Sequence, residues 1–453
     1  MDSTSRSRAH VVILPYPAQG HINPLLQFAK RLVSKGVKAT LANTVFINNS
    51  MLADPSSPIQ FQTISDGFDE AGYAQAPNAD VYLSSLESVG SKTLANLINK
   101  LNNSDSPVTA IIYDGFLPWA LDVAKQFGVL GVVFLTQSCA VNNIYYHVQR
   151  GVLSMPISGS TVSLPGLPIL KVSEIPSFVS DYEAYPAWSD TLFNQFKNID
   201  EAHWVLCNSF HMLEEEAVDW MAKRWHIGTI GPTLPSKYLD KRIEDDKDYG
   251  ISLFKPDTTI CMNWLRDKQN GSVVYVSFGS LAEVGQEQME ELAFGLKSSN
   301  CYFLWVVRES EQSKLPKNLV NEKGLVVKWC PQLEVLTDKA IGCFVTHCGF
   351  NSVLEALSLG VPIVGMPQWT DQPTNAKYVE DVWRIGIRAL PDKDGIVRRQ
   401  VVEACIREVM EKEKGRETKE NAKKWKKLAM EAVDKGGTSD QNIDQFVAKL
   451  INS

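Results

Sequence analysis

A chain of 453 residues is too long for one ordinary hydrophobic core, so two domains of about 200 residues each are expected. Its 44% apolar and 21% charged content is that of a globular protein, and a net charge of −7 with no long basic run argues against a nucleic-acid partner. The polar stretch Met1 to His10 holds no apolar core of a secretory signal, no run approaches the ~20 apolar residues that span a bilayer, and scattered cysteines suit a reducing compartment, so a cytoplasmic protein without integral membrane association is expected.

Val11 to Leu14 reads as a short buried strand. The loop Pro15 to Gly20 and then His21 lead into a helix with Pro24 in its first turn, ending near Gly36, and Lys38 to Asn43 resumes as a strand. This β-α-β opening predicts a parallel, doubly wound sheet, in which ligands collect at the carboxyl ends of the strands. Val108 to Tyr113 is a further strand that ends at Asp114. A helix around Pro118 to Phe127 follows, then a strand over Val129 to Leu135 with Thr136 at its end. His21, Asp114 and Thr136 are therefore expected along one edge. Leu153 to Ile199, rich in Pro, Ser and aromatics, predicts a cap of loops and short helices over a pocket. Val205–Asn208 and Ile227–Ile230 close the first sheet.

Pro232, Pro235 and Pro256 flank the charged run Lys241 to Asp248, which sets the expected division: a first domain over 1–235, a linker over 236–257 and a second domain over 258–435. The strand-helix pattern restarts with a strand at Ser272–Phe278, the turn Gly279-Ser280, a helix at Gln286–Lys297, and strands at Tyr302–Val307 and Leu325–Lys328. Gly342 to Thr346 is the next buried strand; His347, Cys348 and Gly349 make a turn; Phe350 to Leu359 has helical spacing and Gly360 stops it. A strand feeding a helix N-terminus leaves free backbone N–H groups and a positive dipole end at the turn. With His347, Asn351 and Ser352 beside it, that is an anion site, most simply for phosphate. Ser280 closes a similar strand-turn-helix. Trp329 offers a plane for a base, and Glu355, one turn beyond Asn351, offers a carboxylate to a ribose diol. A strand at Val361–Val364 leads to Trp369, Asp371 and Gln372, where a carboxylate beside an amide suits a polyhydroxyl ring. The chain ends in amphipathic helix, broken at Gly436-Gly437 and restarted over 436–453 under Ser439 as the expected cap.

Trp329 to Gln372 resembles, without a gap, the signature box of plant family 1 UDP-dependent glycosyltransferases: W-x-P-Q, T-H-C-G-x-N-S, E, G-V-P and P-x-x-x-D-Q all occur in order. Phe350 stands where the family usually has Trp, and Asp338 where it often has His. The stretch Gly20-His21-Ile22-Asn23-Pro24 is similar to the pattern around the family's catalytic base, and the Leu234–Arg242 segment resembles a subgroup acting on carboxylic acids, terpenoids and related glycosides. The resemblance implies an α/β GT-B fold, two doubly wound Rossmann-like domains facing across a cleft, with the last helix returning to the first domain. It implies a monomeric, metal-independent, inverting glucosyltransferase that uses UDP-glucose as co-substrate and no cofactor. The acceptor would be a hydroxyl or carboxyl of a small, mostly apolar plant metabolite: a terpenoid, steroid, phenolic or organic acid. His21 would be the base and Asp114 its partner. Gly20, Thr136, Ser280, Trp329, Cys330, Gln332, His347, Gly349, Phe350, Asn351, Ser352, Glu355, Trp369, Asp371 and Gln372 would hold the donor. Tyr16, Phe116, Trp119, Tyr145, Phe178 and Trp188 are acceptor candidates, being aromatic and near strand ends or in the cap.

Plainer roles compete. His21 alone reads as a helix-start residue, Asp114 as a turn cap and Ser280 as an N-cap. Cys343, His347 and Cys348 lack the second pair of a metal site, and the triplets Asp246-Lys247-Asp248 and Asp392-Lys393-Asp394 sit in charged stretches expected to be solvated. Neither a G-x-G-x-x-G after a strand nor a G-x-x-x-x-G-K-[ST] is present. A sugar-nucleotide-binding protein without catalysis would need the box but not His21 or Asp114, and an epimerase would not need an aromatic cap.

Overall fold

Two parallel sheets carry the chain. In the computed structural model, which describes residues 9–51, 58–250, 253–317 and 322–452, the first holds β1 (His10–Leu14), β2 (Lys38–Thr44), β3 (Gln60–Ile64), β4 (Ala110–Asp114) and β5 (Leu130–Leu135). A two-stranded hairpin of β6 (Thr161–Val162) and β7 (Leu170–Lys171) interrupts it before β8 (Trp204–Cys207) and β9 (Ile227–Thr229), and the sheet order is β3-β2-β1-β4-β5-β8-β9. The second sheet holds β10 (Val273–Ser277), β11 (Tyr302–Val306), β12 (Gly324–Val327), β13 (Ile341–Thr346), β14 (Ile363–Gly365) and β15 (Gly386–Arg388), ordered β12-β11-β10-β13-β14-β15. Both orders reverse once, beside β1 and β4 in one sheet and β10 and β13 in the other, the switch points at which doubly wound sheets open to ligands. The polar N-terminal residues 1–8 and residues 251–252 of the expected linker lie outside the described residues.

The described residues form two compact units: Met1–Val172 with Phe178–Leu253 and Glu431–Ser453, and Ser173–Ser177 with Phe254–Met430. Each has its own core. In the first, Val11, Ile13, Leu41, Ile112 and Phe134 of the sheet meet Leu25, Phe28 and Leu32 of the first helix and Ile443, Phe446 and Leu450 of the last. In the second, Val274, Val276, Phe303, Trp305 and Val345 meet Leu292, Leu296, Val402 and Ile406.

Several boundaries differ from the sequence expectation. Helix Gln19–Ser34 begins two residues before His21, so His21 lies inside its first turn and Pro24 in the second. Ser439 is not the cap of the last helix, Thr438–Ile451; Gly437 is, and the Ser439 hydroxyl donates instead to the carbonyl of Gly231 at 2.6 Å. Most of the expected linker, up to Leu253, belongs to the first unit: Lys30 pairs with Asp246 at 2.8 Å, and Arg31 pairs with Asp240. Asp246 is accordingly buried rather than solvated, accepting also from the Ser236 backbone N–H.

Candidate active site

The first switch point brings three separate side chains together. β1 and β4 run in register, Leu14 beside Tyr113, so the loop after β1 and the end of β4 are neighbours. His21, in the first turn of the helix after β1, puts Nδ1 2.7 Å from Oδ2 of Asp114, whose Oδ1 accepts the Phe116 N–H at 3.0 Å. Asp114 is buried completely. A carboxylate only accepts, so the shared proton sits on Nδ1 and the lone pair of the ring is on Nε2. Thr136, at the end of β5, places Oγ1 3.1 Å from the same Nδ1. Tyr16 and Phe116 wall the imidazole, with ring centroids 5.3 and 4.7 Å away, so the His21 edge is bounded by apolar surface.

The remaining acceptor candidates fall apart by position. Trp119 and Tyr145 are core residues, Trp119 packed against Gly90 and Tyr145 against Phe193. Phe178 is buried against Tyr185, whereas Trp188 is partly exposed and meets Tyr73 at 5.7 Å. Tyr73 in turn stands edge-on to Tyr82, whose hydroxyl donates to buried Asp66 at 3.0 Å. Tyr73, Tyr82 and Asp66 escaped the sequence reading because they lie between recognisable elements and match no motif.

The second switch point repeats the arrangement with different chemistry. Ser277 of β10 is in register with Thr346 of β13, which sets the Phe278–Ser280 turn against the His347–Gly349 turn. His347 touches both sides: a Cβ at Gly279 would stand 2.9 Å from its ring, and one at Gly349 2.5 Å from Nε2, so glycine is required at each. The protein packed around this imidazole pushes its pKa down to about 4, which leaves a neutral ring at neutral pH. Gly349 caps helix Phe350–Leu359, whose first turn carries Asn351 and Ser352, and Gly360 ends it in the left-handed region. Ser280 is not an N-cap, since the following helix starts at Gln286 with Gly285 as its cap; Arg308 holds the turn by donating to the Ser280 carbonyl at 2.7 Å.

Side chains of the box support one another. Gln332 accepts from Tyr275 Oη at 2.8 Å and donates to Glu355 at 2.7 Å and to Ser352 Oγ at 3.3 Å, so it orients the buried Glu355 carboxylate. Cys330 lies under it, its sulfur 3.1 Å from the Tyr275 hydroxyl. Phe254 packs against Trp329 with ring centroids 4.5 Å apart, a partner that sequence reading missed because it precedes the motif by a long interval. At the other end, Asp371 accepts from Thr370 Oγ1 at 2.6 Å and from Asn375 Nδ2 at 2.7 Å. Gln372 is buried, and its Oε1 accepts from the N–H groups of Gln368 and Trp369 at 2.8 and 3.1 Å. Both lone pairs of that oxygen are used; the amide N–H groups are what remains for a ligand.

Two Rossmann-like units, one with a His–Asp pair and one with a neutral, donor-rich turn at a helix N-terminus, define a nucleotide-dependent group-transfer enzyme of the GT-B kind. Residues 25–428 match the family model described as UDP-glucoronosyl and UDP-glucosyl transferase. UDP-glycosyltransferase 74F2 of Arabidopsis thaliana is 50% identical over 98% of both chains, and flavonol 7-O-beta-glucosyltransferase UGT74F1 of the same plant is 48% identical over 98% of this chain and 99% of its own. Among solved structures, Os79 of O. sativa in complex with UDP is 42% identical and superposes with a TM-score of 0.92 over 97% of this chain and all of that one. The chain belongs to the UDP-glucoronosyl and UDP-glucosyl transferase family and is a UDP-glycosyltransferase. Among the described residues, no helix is long and apolar enough to cross a membrane.

Proposed function

We propose that this enzyme transfers glucose from UDP-glucose to a hydroxyl or carboxyl of a small, mostly apolar metabolite, with inversion at the anomeric carbon. The 2.7 Å contact between His21 Nδ1 and Asp114 carries the reading, because it leaves His21 Nε2 as a base beside aromatic surface. The acceptor hydroxyl gives its proton to Nε2 as its oxygen attacks the anomeric carbon; the C–O bond to UDP breaks and the diphosphate leaves with the electron pair. Asp114 fixes the tautomer and stabilises the imidazolium that forms. Single displacement inverts the centre.

The second unit supplies the leaving-group side. The N–H groups at the start of helix Phe350–Leu359, with Asn351, Ser352, Ser280 and neutral His347, donate to the diphosphate. Trp329 stacks the uracil, Glu355 takes the ribose hydroxyls, and Asp371 with Gln372 holds the sugar. UDP bound to Os79 and a flavonol glucosylated by UGT74F1 support this class of donor and acceptor. We assign the first domain to the acceptor, the second to the donor, and the enzyme to the cytosol as a monomer that needs no metal. Mass spectrometry of products from UDP-glucose and a mixed library of phenols, terpenoids and organic acids tests the reading. Hexose adducts formed equally with and without EDTA are expected. UDP binding with no adduct on any acceptor would leave only a sugar-nucleotide-binding protein.

A further inference from the structure

Five residues of the cap region, Ser173–Ser177, leave the first unit and pack as part of the second, while the chain on both sides remains in the first. Their contacts converge on the loop that carries Trp369, Asp371 and Gln372. Ser177 answers both backbone groups of Thr370: its N–H donates to the Thr370 carbonyl at 2.8 Å and its Oγ accepts the Thr370 N–H at 2.7 Å. Thr370 has φ of 60°, a left-handed conformation that a β-branched residue adopts only when its surroundings impose it. The Thr370 hydroxyl then donates to Asp371 at 2.6 Å. Three residues upstream of Ser177, the carbonyl of Glu174 accepts from Thr374 Oγ1 at 2.7 Å, and its buried carboxylate meets Arg388 at 2.8 Å and Lys377 at 3.7 Å. The Ser177 bonds and the Glu174 carbonyl bond are made to Thr370 and Thr374, which flank Asp371 and Gln372, and the Glu174 carboxylate ties the same region to Lys377 at the end of the following helix and to Arg388 of β15.

We propose that Ser173–Ser177 is a positioning strap for the sugar end of the donor site, with Ser177 setting the Asp371 carboxylate through Thr370 and Glu174 anchoring helix Gln372–Lys377 through its carbonyl contact to Thr374 and the ion pairs of its carboxylate with Lys377 and Arg388. This rests on the reading of Asp371 and Gln372 as the residues that hold the sugar. The strap accounts for a loop whose central residue is strained, whose carboxylate must keep one orientation, and which has no regular secondary structure of its own between β14 and helix Gln372–Lys377.

The proposal separates sugar recognition from uridine recognition, and that separation is measurable in the full-length enzyme. Ser177→Ala leaves the Thr370 N–H without its acceptor, and Glu174→Gln removes the ion pair while keeping the carbonyl contact. Each is expected to raise KM for UDP-glucose about tenfold, the effect of one buried hydrogen bond lost, with the calorimetric Kd for UDP unchanged. Ser177→Thr keeps the hydroxyl and should restore KM. Asp371→Asn run in parallel tests the underlying reading: it should raise KM for UDP-glucose more than either strap variant, and an unchanged KM in that variant sinks the assignment of Asp371 itself. If Asp371→Asn raises KM but Ser177→Ala and Glu174→Gln leave it at the wild-type value, the strap is overturned alone. Parallel rises in KM for UDP-glucose and Kd for UDP would also overturn it, since they report general damage to the unit.

Discussion

At His21 the structure commits Nδ1 to Asp114, and under the proposed function the consequence of leaving Nε2 for the proton depends on the acceptor. A hydroxyl is protonated at neutral pH and must lose its proton during attack, so His21→Ala should cost the ~10²–10⁴-fold typical of general-base catalysis. A carboxylic acid, with pKa near ~4, is already ionised and needs only orientation. The variant should therefore keep a larger residual rate with carboxylates, and its UDP affinity should stay at the wild-type value, because Trp329 and Glu355 belong to the other unit. Matched acid and alcohol acceptors give the measurement; a wild-type rate on alcohols would remove His21 as the base. Gln372 poses a similar question of which atom acts. With Oε1 engaged by two backbone N–H groups, only its nitrogen is available to the sugar. Gln372→Glu preserves both acceptor contacts and removes the donor, so it should raise KM for UDP-glucose while leaving the calorimetric Kd for UDP at the wild-type value. Loss of fold stability in that variant, with KM unchanged, would mean that the amide serves the loop alone.

The two strand-turn-helix elements show what sequence can and cannot reveal. Strands β1, β4, β10 and β13 were legible as apolar runs, and the residues at their ends stood out as a candidate site because doubly wound sheets open there. Helix Ala79–Asn102 was not, since its buried Leu86, Leu94 and Leu97 are diluted by polar neighbours, and neither was the strap, whose partners lie some 200 residues away. Nor does local sequence tell how a turn is held: Cys348 has φ of 65°, and its carbonyl accepts from Asn375 Nδ2 at 3.0 Å. The charge state of His347 is likewise a product of packing. Its pKa falls from the usual 6.5 to about 4, so the unfolded ring takes up a proton first as pH drops. That favours the unfolded state progressively from pH 6.5 down to about 4, and contributes nothing above this window. Compared with His347→Asn, which cannot titrate, the wild type should lose thermal stability faster across that range. Parallel melting curves for the two would show that the ring is free to charge in the folded protein.

Over the whole molecule, the decisive fact is that each unit has a hydrophobic core of its own while the chain passes between them more than once. The last helix is part of the first unit: Phe446 is completely buried, 6.1 Å from Phe28 of the helix that carries His21 and 5.5 Å from Trp204 of β8, and Lys35 pairs with Asp440 at 2.7 Å. Removing a buried phenylalanine costs about 3–5 kcal/mol, a large share of the ~5–15 kcal/mol that holds a domain folded. Phe446→Ala should thus lower the stability of the first unit, although the residue lies far along the chain from His21. UDP, under the proposed assignment of the donor to the second unit, should stabilise that unit by mass action, by about 2.7 kcal/mol at a hundredfold excess over Kd. Calorimetry should resolve these as separate transitions, one moved down by Phe446→Ala and unaffected by UDP, the other moved up by UDP and unaffected by the substitution. Near the lower transition, transfer activity should vanish while UDP binding persists, because the base is lost before the donor site. A single transition displaced by both changes would mean that the two cores melt as one cooperative body, and that the first unit does not fail alone.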